Sequence, residues 1–202
     1  MQRRSFLQKL ILAAATFGTA SLPYGISRLL TSSESTAFSN HLRPPGALSD
    51  EAAFINACIG CGMCGEICPP KCIQFDKRRG GGYNTPYINP EHKACILCEK
   101  CTQVCPTEAL TPTLREDVKM GIAQIDRSAC YPWVDRGVCG ACVAVCPLGD
   151  RAIAFDFANM YRPYIKEDGC AGCGMCVEIC PHPSLPIRIV EVGESSVTQH
   201  QI

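Results

Sequence analysis

The chain is poor in aromatic side chains, which make up 7% of its 202 residues and include a single tryptophan, and it carries no net charge, with 19 basic side chains against 19 acidic ones. The charges are unevenly placed. Residues 1–20 hold Arg3, Arg4 and Lys9 and no acid, so the rest has 16 basic against 19 acidic groups, a net charge of about −3. No basic stripe with interleaved aromatics remains, which argues against a nucleic-acid partner. A Ser-His-Asp order, a phosphate loop and a dinucleotide fingerprint are also missing, so the chain is expected not to be an enzyme by itself. His41, His92, His182 and His200 match no ligand spacing; only His182, in "CPHPS", adjoins a cysteine block. The hydrophobic content of 47% includes seventeen cysteines, so the aliphatic core must be small.

Those cysteines carry the chemistry. Sixteen fall into four blocks whose starts lie 35 to 40 residues apart, an internal repeat. The first is "CIGCGMCGEICP", with Cys58, Cys61, Cys64 and Cys68. The second is "CILCEKCTQVCP", with Cys95, Cys98, Cys101 and Cys105. The third, "CYPWVDRGVCGACVAVCP", is stretched by eight residues between Cys130 and Cys139 before Cys142 and Cys146. The fourth is "CAGCGMCVEICP", with Cys170, Cys173, Cys176 and Cys180. C-x2-C-x2-C-x3-C-P resembles the bacterial ferredoxin run for a 4Fe-4S cluster. Two-residue gaps let a loop wrap three thiolates around one cubane, while the fourth cysteine points away to the cluster of a partner motif. The proline after it biases it toward extended backbone. Four 4Fe-4S clusters held by these sixteen iron ligands are the expectation.

Zinc is the competing metal, but its sites use two separated C-x2-C arms rather than three cysteines at two-residue intervals followed by Cys-Pro. A disulfide framework would leave one cysteine over and would have to bridge residues three apart. Cys72, in "CPPKC", is the seventeenth; it is read as a spare thiol near the first cluster, with replacement of Cys68 as the alternative. The stretched loop "YPWVDRGV" contains Trp133, either a partner contact or a packed aromatic that shields the third cluster. Lys71, Lys77, Arg78, Arg79, Lys93 and Lys100 either offset cluster charge, form a docking face, or are simply solvated.

At the N-terminus, "RRSFL" precedes an apolar run rich in small residues from Leu10, shorter than the roughly 20 residues that span a bilayer. It resembles the twin-arginine signal, with Gln8 departing from its usual lysine. That signal implies export by the Tat translocase of a folded, cluster-loaded protein to the periplasm. Threading seventeen free thiols into an oxidising compartment would invite disulfide scrambling. An uncleaved leader would instead tether the protein to the membrane. The expected spans are 1–37 for the signal and start of the linker, 38–57 for a linker, 58–192 for the four-motif domain and 193–202 for a tail. Within the domain the motifs occupy 58–69, 95–106, 130–147 and 170–181.

Short strand-like runs flank each block: "CIQF", "PYINP", "EALTP", "MGIAQID", "AIAFDF", "YRPYI" and "PIRIVEV". Strand, cluster loop with a helical turn, strand is a small α+β ferredoxin-like unit built from two motifs. Two such modules account for the body, and the clusters must hold it together. The short link in "AIAFDFANMYRPYI" has the form of a hairpin and favours pairing the third motif with the fourth.

Beyond the cysteines, "LRPPGA" at 42–47, "TPY" at 85–87, "KMGIAQID" at 119–126 and the stretched third motif resemble the MauM/NapG family of ferredoxin-type proteins, found with periplasmic nitrate reductase and methylamine-utilisation systems. The family is similar to the four-cluster electron-transfer subunits of molybdenum oxidoreductases, which implies interleaved pairing, first motif with fourth and second with third. It also implies a membrane-bound ferredoxin-type partner that oxidises quinol, and a periplasmic oxidoreductase or cytochrome as the other partner. On this reading the chain relays single electrons. A maturation factor with structural clusters, or a subunit of a molybdenum enzyme, are the alternatives the family allows.

Overall fold

The structure is a computed structural model and describes residues 41–77 and 82–190. These all fall within one unit, Asn40–Ile202. The leader, Arg78, Arg79, His200 and the tail lie outside the described residues.

The elements are short: α1 (Glu51–Ala57), α2 (Met63–Ile67), β1 (Ile73–Phe75), β2 (Pro86–Ile88), α3 (Lys100–Gln103), β3 (Ile122–Ile125), α4 (Ala141–Val145), β4 (Ile153–Asp156), β5 (Arg162–Ile165), α5 (Met175–Glu178) and β6 (Ile187–Val190). Among the described residues no helix exceeds seven residues, well under the length at which a helix is stable alone. Among the described residues no helix is long and apolar enough to cross a membrane.

The strands form three antiparallel pairs, and their connectivity repeats. In the first half, β1 and β2 make a hairpin between the first and second motifs, with Ile73 opposite Ile88. In the second half, β4 and β5 make the equivalent hairpin between the third and fourth motifs, with Ile153 opposite Ile165. The chain before the third motif, β3, pairs with the chain after the fourth, β6. In the first half the same closure is reduced to one bridge, Ala47 with Leu110, while Leu42 bridges to Ile88 at the end of β2. Each half is thus a module of two successive motifs with a hairpin between them and its ends joined.

This overturns two expectations. The interleaved pairing does not form: the helical turn of the first motif, α2, packs on that of the second, α3, and α4 packs on α5. The hairpins are the physical reason, because each returns the chain directly to the side of the motif it has just left. The segment 38–57 is also not a linker from Leu42 onward. Leu42, Pro44, Pro45 and Phe54 are buried, Asp50 caps α1 by accepting from the Ala53 amide at 2.7 Å, and Arg43 lies 4.6 Å over the Phe54 ring while its guanidinium donates to the Pro86 carbonyl at 2.7 Å. "LRPPGA" is therefore the opening edge of the first module. At Gly46, φ is +72° and a Cβ would fall 2.0 Å from the Thr111 carbonyl oxygen, so only glycine lets this edge meet the chain leaving the second motif.

Seven of the twenty-two buried residues in the hydrophobic core are cysteines: Cys64, Cys68, Cys72, Cys95, Cys101, Cys170 and Cys173. The aliphatic remainder is thin, with Phe54, Ile88, Leu97 and Val118 its largest fully buried members. Iron removal by an anaerobic chelator should therefore abolish the cooperative thermal transition seen by circular dichroism; a metal-free chain that kept the transition would show that the aliphatic core suffices.

Candidate metal centres

Each motif folds the same way: an irregular loop carries the first two cysteines, the third lies in a single helical turn, and the fourth follows that turn. Three of the four loops, all but the stretched third, use left-handed backbone at two fixed places. Gly60 and Gly62 supply it in the first motif at φ +65° and +82°, and Gly172 and Gly174 in the fourth at +69° and +84°. The second motif has no glycine there, and Leu97 and Glu99 adopt φ +53° and +60° instead. An L-residue in this region costs roughly 1–2 kcal/mol, so the second loop is strained where the others are not.

The fourth cysteine leaves its own loop. Cys68 and Cys146 end their helical turns in extended conformation, at ψ 114° and 120°, as the prolines after them require. One pocket is lined by Cys95, Cys98 and Cys101 of the second motif together with Cys68 of the first and with Cys72. Another is lined by Cys170, Cys173 and Cys176 of the fourth together with Cys146 of the third, among Ala123, Leu148, Ile153 and Ile189. Cys180 of the fourth motif stands close enough to Cys130 of the third to raise its pKa, as do Cys139 and above all burial. Cys58, Cys61 and Cys64 cluster in the first motif, and burial first, then those two neighbours, pushes the Cys64 thiol up to about 11. Cys105 is half-buried against the same core and bonds to the Thr107 hydroxyl at 3.5 Å.

The donor set suits a cluster. Burial pushes Cys101, Cys142 and Cys173 to about 12, with neighbouring thiols adding to it. Such groups become thiolates at neutral pH only with a positive metal core among them, and loading must release their protons. Among the described residues no three His, Cys, Asp or Glu side chains converge on a point that would hold a single ion. Two of the cysteine sets line pockets, and their spacing is the one used for a cubane. Backbone amides already aim at two sulfurs, Leu97 N–H at Cys95 (3.3 Å) and Ala123 N–H at Cys170 (3.4 Å).

Cys72 is 1% exposed and sits beside the second set rather than the first: its sulfur is 3.5 Å from that of Cys68. Its hydrogen bond to Cys95 keeps it protonated and lowers the Cys95 pKa. Trp133 is pinned, its indole N–H donating to the Pro163 carbonyl at 3.0 Å and its ring faced by Arg127 and Arg162 at 4.3 and 5.3 Å, so the geometry supports the packed reading of this aromatic. Of the cations named from sequence, Lys71 donates to the Glu66 carbonyl at 2.7 Å and Lys93 pairs with Glu178 at 2.6 Å. His182 accepts from the Ser184 amide at 3.1 Å and packs against Tyr131.

The two halves meet where the second motif touches the fourth. The Cys95 amide donates to the Cys173 carbonyl at 3.0 Å, the Ala94 amide to the Glu178 carboxylate at 2.7 Å, and a Cβ on Gly174 would stand 2.3 Å from Cβ of Pro90. Sequence reasoning missed this seam, since it requires knowing which motifs pair.

Two sets of variants test the site. Gly62→Ala meets nothing within 4 Å and should cost only the left-handed penalty, about 1–2 kcal/mol. Gly172→Ala also drives Cβ to 2.5 Å from the Gly121 backbone, so it should bleach markedly faster under chelator than Gly62→Ala. Cys72→Ala should keep the full iron and sulfide content; loss of about four iron per chain would make Cys72 a ligand.

Comparison with known proteins agrees with this geometry. The chain matches the 4Fe-4S dicluster domain family over residues 57–109, 94–149 and 135–183. The first of these spans covers both motifs of the first module, and the last covers the fourth motif and the third from residue 135, after Cys130. The "Ferredoxin-type protein NapG" of Escherichia coli strain K12 is 30% identical over 98% of this chain and 90% of its own length. The "Methylamine utilization ferredoxin-type protein MauM" of Methylorubrum extorquens is 30% identical over 78% of this chain and 76% of its own, and that of Methylobacillus flagellatus 34% identical over 74% and 68%. A solved formate dehydrogenase, heterodisulfide reductase and formylmethanofuran dehydrogenase complex from Methanospirillum hungatei aligns at 22% identity with a TM-score of 0.27, over 68% of this chain and half of that chain, too distant to inform the fold. Paired cysteine motifs, their dicluster spans and relatives matched along most of their length agree: this chain belongs to the NapG/MauM family of ferredoxin-type iron–sulfur proteins.

Proposed function

We propose that this protein is a periplasmic relay with four 4Fe-4S clusters that passes single electrons from a membrane-bound, quinol-oxidising ferredoxin-type partner to a periplasmic oxidoreductase or cytochrome. The observation that carries the reading is the shared pocket, in which three cysteines of one motif are completed by the fourth cysteine of its neighbour. In the full assignment Cys58, Cys61, Cys64 and Cys105 hold the first cluster, and Cys95, Cys98, Cys101 and Cys68 the second. Cys130, Cys139, Cys142 and Cys180 hold the third, and Cys170, Cys173, Cys176 and Cys146 the fourth.

The clusters supply one-electron chemistry at potentials within roughly −700 to +450 mV. The chain's own contribution is to exclude water from the inner sulfurs, to direct amide dipoles at Cys95 and Cys170, and to keep the Cys72 thiol against the Cys95 sulfur. The amide dipoles and the Cys72 thiol favour the reduced, more negative cluster, whereas the exclusion of water disfavours it. The family resemblance allows a second reading, a maturation factor whose clusters serve structure.

Anaerobic protein should contain about sixteen iron with matching acid-labile sulfide, and its clusters should be reduced by membranes that supply quinol. Full iron content with clusters that quinol cannot reduce would favour the maturation factor. For export, replacing Arg3 and Arg4 together by lysine should leave the protein in the cytoplasm, read by fractionation; unchanged periplasmic yield would remove the twin-arginine route.

A further inference from the structure

The electron-carrier reading leaves the order of the clusters open, and the seam between the modules fixes it. Within each module the sets are joined by their exchanged fourth cysteines, first to second and third to fourth. Between modules, the contact that joins two ligand cysteines is the Cys95 amide donating to the Cys173 carbonyl. Both residues are buried, at 6% and 8% exposure. A short covalent path interrupted by one hydrogen bond therefore runs from a sulfur of the second set to a sulfur of the fourth. Glu178 clamps it by accepting from the Ala94 amide and from Lys93, and Pro90 packs on Gly174.

Burial grades the same way. Cys68, Cys95 and Cys101 of the second set and Cys170 and Cys173 of the fourth are buried. Cys61 of the first set is exposed, although Cys64 of that set is buried, and Cys130, Cys139, Cys142 and Cys180 of the third are all partly accessible. Exposed apolar side chains stand at both places, Ile59 and Met63 beside Cys61 and Val138 and Ile179 next to Cys139 and Cys180, and also at Ile67 and Ile96 beside the second set.

We propose that electrons traverse the protein in the order first, second, fourth, third cluster, with the Cys95–Cys173 seam as the bridge between modules and the first and third clusters as the two ports. This rests on the electron-carrier reading and on its four clusters. Each hop oxidises one cluster by one electron and reduces the next by one; no bond is made or broken and no proton moves. The chain order and the spatial order therefore differ: the third motif in sequence is the far end of the path.

The order is tested without any physiological partner. In fully dithionite-reduced protein, neighbouring clusters split each other's EPR signals. Cys61→Ser, which changes the first cluster, should disturb one other signal. Cys139→Ser, which changes the third, should disturb a different single signal. Glu178→Ala should weaken the coupling between those two disturbed clusters while leaving iron content and coupling inside each module intact, and Glu178→Gln, which still accepts from Ala94, should preserve most of it. Should the serine variants lose iron wholesale, pulsed EPR distances in partly reduced unmodified protein replace them, with the longest separation expected between the two most solvent-accessible clusters. Disturbance of one shared signal by Cys61→Ser and Cys139→Ser, or a longest separation involving a solvent-shielded cluster, overturns the order. Clusters that couple as expected yet accept no electrons from quinol would leave the order standing and remove the relay reading.

Discussion

Everything in this fold follows from the fourth cysteine of each motif being unable to serve its own loop. Three thiols at two-residue intervals close around one space. The fourth comes after a helical turn, and the proline behind it holds Cys68 and Cys146 in extended backbone that carries the thiol toward the neighbouring motif. On the ligand assignment proposed above, a single motif is incomplete and two motifs complete each other. That reciprocity is why a chain with so little aliphatic core can be ordered: the ligands that would join the two loops of a module occupy the positions where a larger domain would put leucine and phenylalanine.

The local parts were legible in the sequence. Six of the seven strand-like runs contain the strands observed, because alternation of Ile, Val and Phe beside a cysteine block is a strong local signal. The seventh, "EALTP", supplies only the bridge at Leu110. Its partner lies in 42–47, where "RPPG" reads as loop chemistry, and nothing local says that these prolines will be buried, Pro45 beside the second set of cysteines. The second half contained the clue, since β3 before its first motif pairs with β6 after its last. A repeat in the cysteines implied a repeat in the edges that flank them, and the first module needed such an edge.

Pairing was harder to read because each motif is chemically competent to complete any other. The dicluster family itself matches the first and second, the second and third, and the third and fourth motifs alike. What selects among them is chain geometry: hairpins of three or four residues per strand leave no room for another motif to intervene. The hairpin in "AIAFDFANMYRPYI" carried that information, and the resemblance to interleaved proteins pointed the other way.

The second motif shows where the repeat has been bent to a purpose of its own. It pays backbone strain at Leu97 and Glu99 where its neighbours use glycine, and Leu97 gains complete burial in return. The same loop takes the Cys72 thiol, the Leu97 amide and the seam to Cys173 on the single residue Cys95. A more flexible loop would let that residue move relative to the opposite module, and the hydrogen bond between Cys95 and Cys173 would then compete with the loop's own entropy. Strain in the second loop and glycine in the fourth are complementary: one side of the seam is held stiff by side-chain packing, and the other is made thin enough at Gly174 for Pro90 to approach, while Gly172 admits Gly121 of its own module. Glycine at position 97 would relax the backbone but remove the buried side chain that fixes where Cys95 points, so the strain is the cost of a fixed junction between the modules.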